Sequence, residues 1–184
     1  MRALVIYESM FGNTEAVADA VADGLAERFD VDFYEVSQAP ASDIGPVDLV
    51  VVGGPTHAFS LSRPATRASA LDQGATHGSK ELGLRDWLGH LRRGSHCELV
   101  AAFDTRIHKA RKWPGSAATK AVKLAGHLGY APAGKQSFYV TDTSGPLLPG
   151  ELERARAWGS QLALETSERT DRQGVGRTAR PGKA

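Results

Sequence analysis

Short apolar runs alternate along this chain with stretches of helical periodicity. Leu4-Val5-Ile6-Tyr7 is a compact run of strand formers with Gly12 close behind it, and reads as a buried strand. From Thr14 the period changes. Val17, Val21, Leu25 and Phe29 recur at helical spacing with Ala between them, which predicts an amphipathic helix of about four turns. Residues 31–36 alternate as a second strand. Residues 48–53 form a third, apolar on both faces and therefore central. Residues 98–103 and 137–140 supply a fourth and a fifth. Helical stretches lie around residues 64–72, 84–91, 117–128 and 151–165. Strands alternating with helices predict a parallel sheet covered on both faces, because each right-handed crossover must pass over the sheet.

Two polar segments interrupt this pattern. Residues 73–83 are rich in turn formers and predict a surface insertion ahead of the next helix. Residues 168–184 lose large apolar side chains and carry five Lys or Arg against two acids. They predict a disordered basic tail and leave residues 1–167 as the folded domain. The length, 184 residues, suits one domain, and 41% hydrophobic with 23% charged residues is soluble globular usage. Twenty-two Lys and Arg oppose twenty-one Asp and Glu, so no strong global field gathers nucleic acid or a membrane surface. Cys97, the single cysteine, excludes an internal disulfide or a multi-cysteine metal cluster, and its place at the start of a strand reads as structural. The six histidines lack paired ligand spacing, so no metal site is expected. No apolar run approaches the ~20 residues that span a bilayer. The N-terminus shows no small-residue cleavage site, and the expected location is the cytoplasm.

In an open parallel sheet, ligands sit beyond the carboxyl ends of the strands, so the loops there carry the candidate chemistry. After strand one comes Glu8-Ser9-Met10-Phe11-Gly12-Asn13-Thr14. It offers hydroxyls, a flexible glycine and backbone N–H groups at a helix start, which can hold an anion without Lys or Arg. No Lys follows the glycine, so it is not a Walker loop, and one glycine does not make a dinucleotide fingerprint. A plain capped turn explains the same residues. After strand three, Gly53-Gly54-Pro55-Thr56-His57-Ala58-Phe59 allows close backbone approach and then presents a His and a Phe where a ring can lie. After strand four, Phe103-Asp104-Thr105-Arg106 leads into His108, Lys109, Arg111 and Lys112. This is either a solvated charged loop or a landing place for an anionic partner.

Together these loops resemble the flavodoxin-like FMN-binding family, from Ala3 to about Ala163. The resemblance is strongest in Val5-Ile6-Tyr7-Glu8-Ser9-Met10-Phe11-Gly12-Asn13-Thr14-Glu15, which looks like the family's phosphate loop, and continues in Gly53-Gly54-Pro55-Thr56. It implies an α/β three-layer sandwich with a five-stranded parallel sheet of order 2-1-3-4-5 and helices on both faces. It implies FMN as cofactor. Ser9, Met10, Phe11, Gly12, Asn13 and Thr14 would hold the phosphate. Pro55, Thr56, His57, Ala58 and Phe59 would flank the ring on one side, and Phe103, Asp104, Thr105 and Arg106 would close the other. Three departures stand out: Phe11 replaces a hydroxyl residue, the usual stacking Trp is missing from the first flanking loop, and the usual Tyr from the second, where Trp113 is a candidate substitute.

A response regulator would need a phospho-acceptor Asp where Gly53-Gly54 stands, and a small tyrosine phosphatase would need a Cys after strand one. Three functions remain. The first is electron transfer with a redox partner protein or a small-molecule acceptor. The second is an FMN-dependent NAD(P)H:quinone-type oxidoreductase, with the basic loop holding the nucleotide phosphate. The third is a flavin-free module that binds a partner through the Gln73–Leu91 segment, with Trp87 on a helix, although Leu84, Trp87, Leu88 and Leu91 at i, i+3, i+4 and i+7 read first as core.

Overall fold

Apolar residues on both faces of a strand require cover on both sides, and the chain provides it. The computed structural model describes residues 1–40 and 44–178. Strands β1 (Arg2–Tyr7), β2 (Asp30–Glu35), β3 (Leu49–Pro55), β4 (Leu99–Ile107) and β5 (Ala131–Val140) form one sheet in the order β2-β1-β3-β4-β5. Every pairing in it is parallel. This is the order the resemblance implies. Helices α1 (Asn13–Leu25) and α5 (Glu151–Thr178) cover one face. Helices α2 (Pro64–Asp72), α3 (Leu84–His90) and α4 (Ala117–Leu128) lie on the other side of the sheet, where α3 and α4 seal the core. Alternate residues of β1 and β3 enter the two cores, Val5 and Val51 toward α1, Ile6 and Val52 toward α4.

The α1–α5 contact is backbone against backbone. A Cβ on Gly24 would lie 2.2 Å from the Arg156 carbonyl oxygen, and one on Gly159 would lie 2.3 Å from that of Val21. Glycine at these two positions is what lets the helices approach so closely.

Several elements differ from the sequence-based expectation. α1 ends at Leu25, and Phe29 reaches the core from beyond the helix. β4 continues through Asp104-Thr105-Arg106 to Ile107, because β3 and β5 flank it on both sides. β5 begins as early as Ala131 despite Pro132 and Gly134, which an edge strand tolerates, and its register shifts opposite Val100/Ala101. α5 runs on past Glu168 to Thr178, into the stretch expected to be disordered; the rest of that expected tail, residues 179–184, lies outside the described residues. Among the described residues, no helix is long and apolar enough to cross a membrane, and no cluster of three or more His, Cys, Asp or Glu can hold a metal ion.

Residues 73–83 are not a free-standing insertion. The His77 amide donates to the Met10 carbonyl at 3.2 Å. Arg67 of α2, fully buried, donates to the carbonyls of Lys80 and Glu81, to the Ser62 hydroxyl and to Asp86. One guanidinium thus ties the end of the segment to α2 and α3, while the His77 amide ties its middle to the loop after β1. Trp87 is buried and donates its indole N–H to the Pro40 carbonyl at 2.8 Å, as the core reading of Leu84, Trp87, Leu88 and Leu91 expects.

Candidate functional site

A cleft of about 330 Å³ opens at the carboxyl end of the sheet. Met10, Phe11, Asn13 and Thr14 line it from the loop after β1, Pro55, Thr56, His57 and Ala58 from the loop after β3, and Thr105 and Arg106 from β4. These ten sequence-derived candidates come together around one space. Helix α2 supplies a wall that the sequence reading missed: Thr66, Ser69, Ala70 and Gln73. They recur at i, i+3, i+4 and i+7, so one polar face of a helix turns inward where an apolar stripe would be expected. No local signal marks it, because a polar helix face reads as a solvent-facing one.

The loop after β1 builds an anion seat. Gly12 adopts left-handed backbone, φ 80°, as the residue that opens α1. The amides of Met10, Phe11, Gly12, Asn13 and Thr14 donate to no acceptor among the described residues. Five consecutive free donors at a helix N-terminus make a site for negative charge, with the helix dipole adding roughly half a positive charge. Side chains brace the seat. The Thr14 and Thr105 hydroxyls share a buried hydrogen bond of 2.7 Å, and Asn13 donates to the Ser144 carbonyl at 3.0 Å. Ser9 sits behind the loop and accepts from the Glu15 amide at 3.4 Å; its hydroxyl borders a separate small polar cavity. His77 packs beside Gly12, 3.7 Å from where a Cβ would stand, and lies 3.7 Å from Glu15.

The loop after β3 is a tight turn. His57 and Ser60 exchange backbone hydrogen bonds of 2.9 and 3.1 Å, and the two residues between them, Ala58 and Phe59, both have positive φ, 46° and 61°. Thr56 ties the turn down: its amide donates to the Thr105 carbonyl and its hydroxyl accepts from the Ala117 amide, each at 2.9 Å. Burial, aided by the charge of Arg67, pushes the His57 pKa down, so the ring facing the cleft is neutral at pH 7. Phe59 turns out of the cleft and meets Trp113, ring centroids 5.2 Å apart. Trp113 therefore packs on the first flanking loop from the rim, and neither ring is among the residues lining the cleft.

Strand β4 places its polar residues in sequence. Phe103 does not reach the cleft. Its ring is buried in the α1–α5 core, edge-on to Phe138 and Trp158. Asp104 is buried as well, with one oxygen accepting from the Ala118 amide at 2.9 Å and the other unpartnered. Burial pushes its pKa up, opposed by Ser116, the Ala118 amide, Ser137 and Arg106. Arg106 reaches the cleft. It donates to the carbonyls of Ala110 and Trp113 and holds the basic loop in place, and its Nε is buried without an acceptor. Beneath the cleft, Glu8 is buried, accepts from the Leu84 amide at 2.8 Å and leaves its second oxygen unpartnered. Cys97 lies exposed just ahead of β4, at the opposite end of the sheet.

The chain matches the family model described as flavodoxin over residues 5–78, the part that contains the loops after β1 and β3. Solved structures follow nearly its whole length. A Streptococcus pneumonia TIGR4 flavodoxin is 20% identical, covering 90% of this chain and 99% of that one, with a TM-score of 0.63. A flavodoxin from the domain Archaea is 17% identical over 91% and 99%, TM-score 0.60, and Flavodoxin 2 from Bacillus cereus is 19% identical over 92% and 99%, TM-score 0.58. No curated protein sequence matches. The family's model thus covers residues 5–78, and along nearly its whole length the chain has a flavodoxin-like fold.

Proposed function

We propose that the chain binds FMN in this cleft and acts in electron transfer. The five unpaired amides from Met10 to Thr14, opening onto a cleft between the loops after β1 and β3, are the observation that carries this. The volume suits a small cofactor site, and its lining mixes apolar side chains such as Met10, Pro55, Ala58 and Ile107 with a few polar groups. The residues present fit the group. The amides of 10–14 and the Thr14 hydroxyl would take the phosphate; Pro55, Thr56, His57 and Ala58 would flank the ring, with Thr105 and Arg106 opposite. FMN supplies the capacity to take up and release electrons, and the protein supplies position and electrostatics. Neutral His57 adds no charge to the cleft, whereas Arg106 adds one positive charge that favours a more electron-rich ligand.

Titration of the purified chain with FMN tests this. Binding at one FMN per chain with a shifted absorption band and quenched fluorescence is expected. An unchanged flavin spectrum would leave only the flavin-free module.

One observation favours the reductase reading as a second possibility. A polar cavity of about 300 Å³ adjoins the cleft across Arg106, lined by Ser116, Thr119, Lys135 and Ser137. It offers hydroxyls and cations to a nucleotide phosphate. Oxidation of NAD(P)H by the FMN-loaded chain and a small quinone, with no other protein, would establish that activity, and its absence would discard it.

A further inference from the structure

The stretch from the end of β4 through β5 differs in charge from the rest of the chain. From Thr105 to Thr141 there is no Asp or Glu, yet there are seven Lys or Arg: Arg106 together with Lys109, Arg111, Lys112, Lys120, Lys123 and Lys135. The whole chain carries +1, so everything else carries −6. A near-neutral total hides a divided molecule. Apart from half-buried Lys120, the six are exposed, and none of the six forms an ion pair among the described residues. Lys135 reaches the first turn of α4, donating to the Thr119 hydroxyl at 3.2 Å, so the edge strand and α4 present one continuous surface.

The same surface carries the exposed aromatic pair. Trp113 is 60% and Phe59 43% exposed, and they touch each other at the mouth of the cleft. Arg111 and Lys112 immediately precede Trp113. Exposed aromatics set among unpaired cations match a protein interface, whose centre favours aromatics and Arg while charges around it steer the encounter. A nucleic acid would need cations tracking a backbone along a groove. Here they surround two rings beside a ligand cleft.

We propose that Lys109, Arg111 and Lys112, set around the Phe59–Trp113 pair, form the docking surface for an acidic redox protein. The electron-transfer role of such a partner rests on the FMN reading above; the surface itself lies outside the flavin contacts.

The test is calorimetric titration of the full chain with an acidic plant-type [2Fe–2S] ferredoxin as probe, with and without FMN, at about 20 mM and about 500 mM salt. Binding is expected at low salt and is lost at high salt. It weakens at least about tenfold in Lys109→Glu/Lys112→Glu and in Trp113→Ala, while Asp23→Lys on α1 binds as the parent does. If the charge-reversed variant does not fold, Lys109→Gln/Lys112→Gln should still weaken binding about threefold. A chain that binds the ferredoxin but takes up no FMN upholds the surface and overturns the flavin reading alone. No binding at low salt, undiminished binding by the folded variants, or equally tight binding of double-stranded DNA overturns the surface.

Discussion

Ala58 and Phe59 sit where backbone geometry favours glycine or asparagine. Two consecutive positive φ values between hydrogen-bonded His57 and Ser60 make a turn that side chains with a Cβ enter at a cost of roughly 1–2 kcal/mol per residue. Strain of this kind persists where the surroundings hold it, and here Thr56 anchors the turn to both β4 and α4. Ala58→Gly should therefore stabilise the protein by about 0.5–1 kcal/mol, after the added freedom of glycine in the unfolded chain is subtracted. Urea denaturation measures it; an equal or lower midpoint would show that the turn is not strained. Glu8 offers a second test. Burial, the largest influence, raises its pKa above the ordinary value of 4.5, against the pull of Ser62, the Leu84 amide and Arg67. The stability tied to its proton is fully present below the unfolded pKa. It is lost as pH rises from there through the folded pKa, because the unfolded chain releases the proton first. Glu8→Gln has no proton to release. Its stability relative to the parent should thus increase as pH rises above the ordinary carboxylate value, and a gap independent of pH would refute this.

Among the elements, the α1–α5 pair is sensitive to a single methyl group. A Cβ at Gly24 meets the Arg156 carbonyl at 2.2 Å and the Ser160 amide at 2.7 Å, both backbone atoms of a helix that cannot give way alone. Gly24→Ala should cost about 2–4 kcal/mol in thermal or urea denaturation and leave FMN affinity of the folded protein unchanged, since neither helix contact lies in the cleft. A variant as stable as the parent would mean that the helices separate freely. The same close approach was illegible in the sequence, where both glycines look like interruptions of helical periodicity. Apolar runs did predict the existence and order of the elements, because burial drives both. Their ends were less legible. Asp104, Thr105 and Arg106 read as loop because they are polar, yet each is buried in a strand, with the Ala118 amide, the Thr14 hydroxyl and two loop carbonyls as partners. Residues 73–83 read as surface, and most of them are exposed, but the sequence did not show that they are tied down. Their docking depends on Arg67, whose buried position nothing in the local pattern signals.

For the molecule as a whole, charge distribution matters more than net charge. The turn that opens α1 with its free amides was legible because a glycine at a strand–helix junction has a specific conformational use. The α2 wall was not, because its inward face is polar like an exposed one. Around the cleft, Arg106 lines the ligand space and the carboxylate-free stretch forms one rim. A positive field stabilises the more negative, reduced ligand and so raises the midpoint potential. Its long-range part comes from exposed cations such as Lys109 and Lys112, which salt screens over about 10 Å at 0.1 M, while buried Arg106 is screened little. Raising the salt from about 10 mM to about 0.5 M should therefore lower the midpoint potential of the FMN-loaded protein, by on the order of 10 mV. An acid-rimmed cleft would move the other way, because screening would relieve repulsion of the reduced ligand. Spectroelectrochemical titration at the two salt concentrations decides the sign, and a potential that rises with salt would mean that the acidic remainder of the chain, and not the β4–α4 rim, governs the field at the cleft.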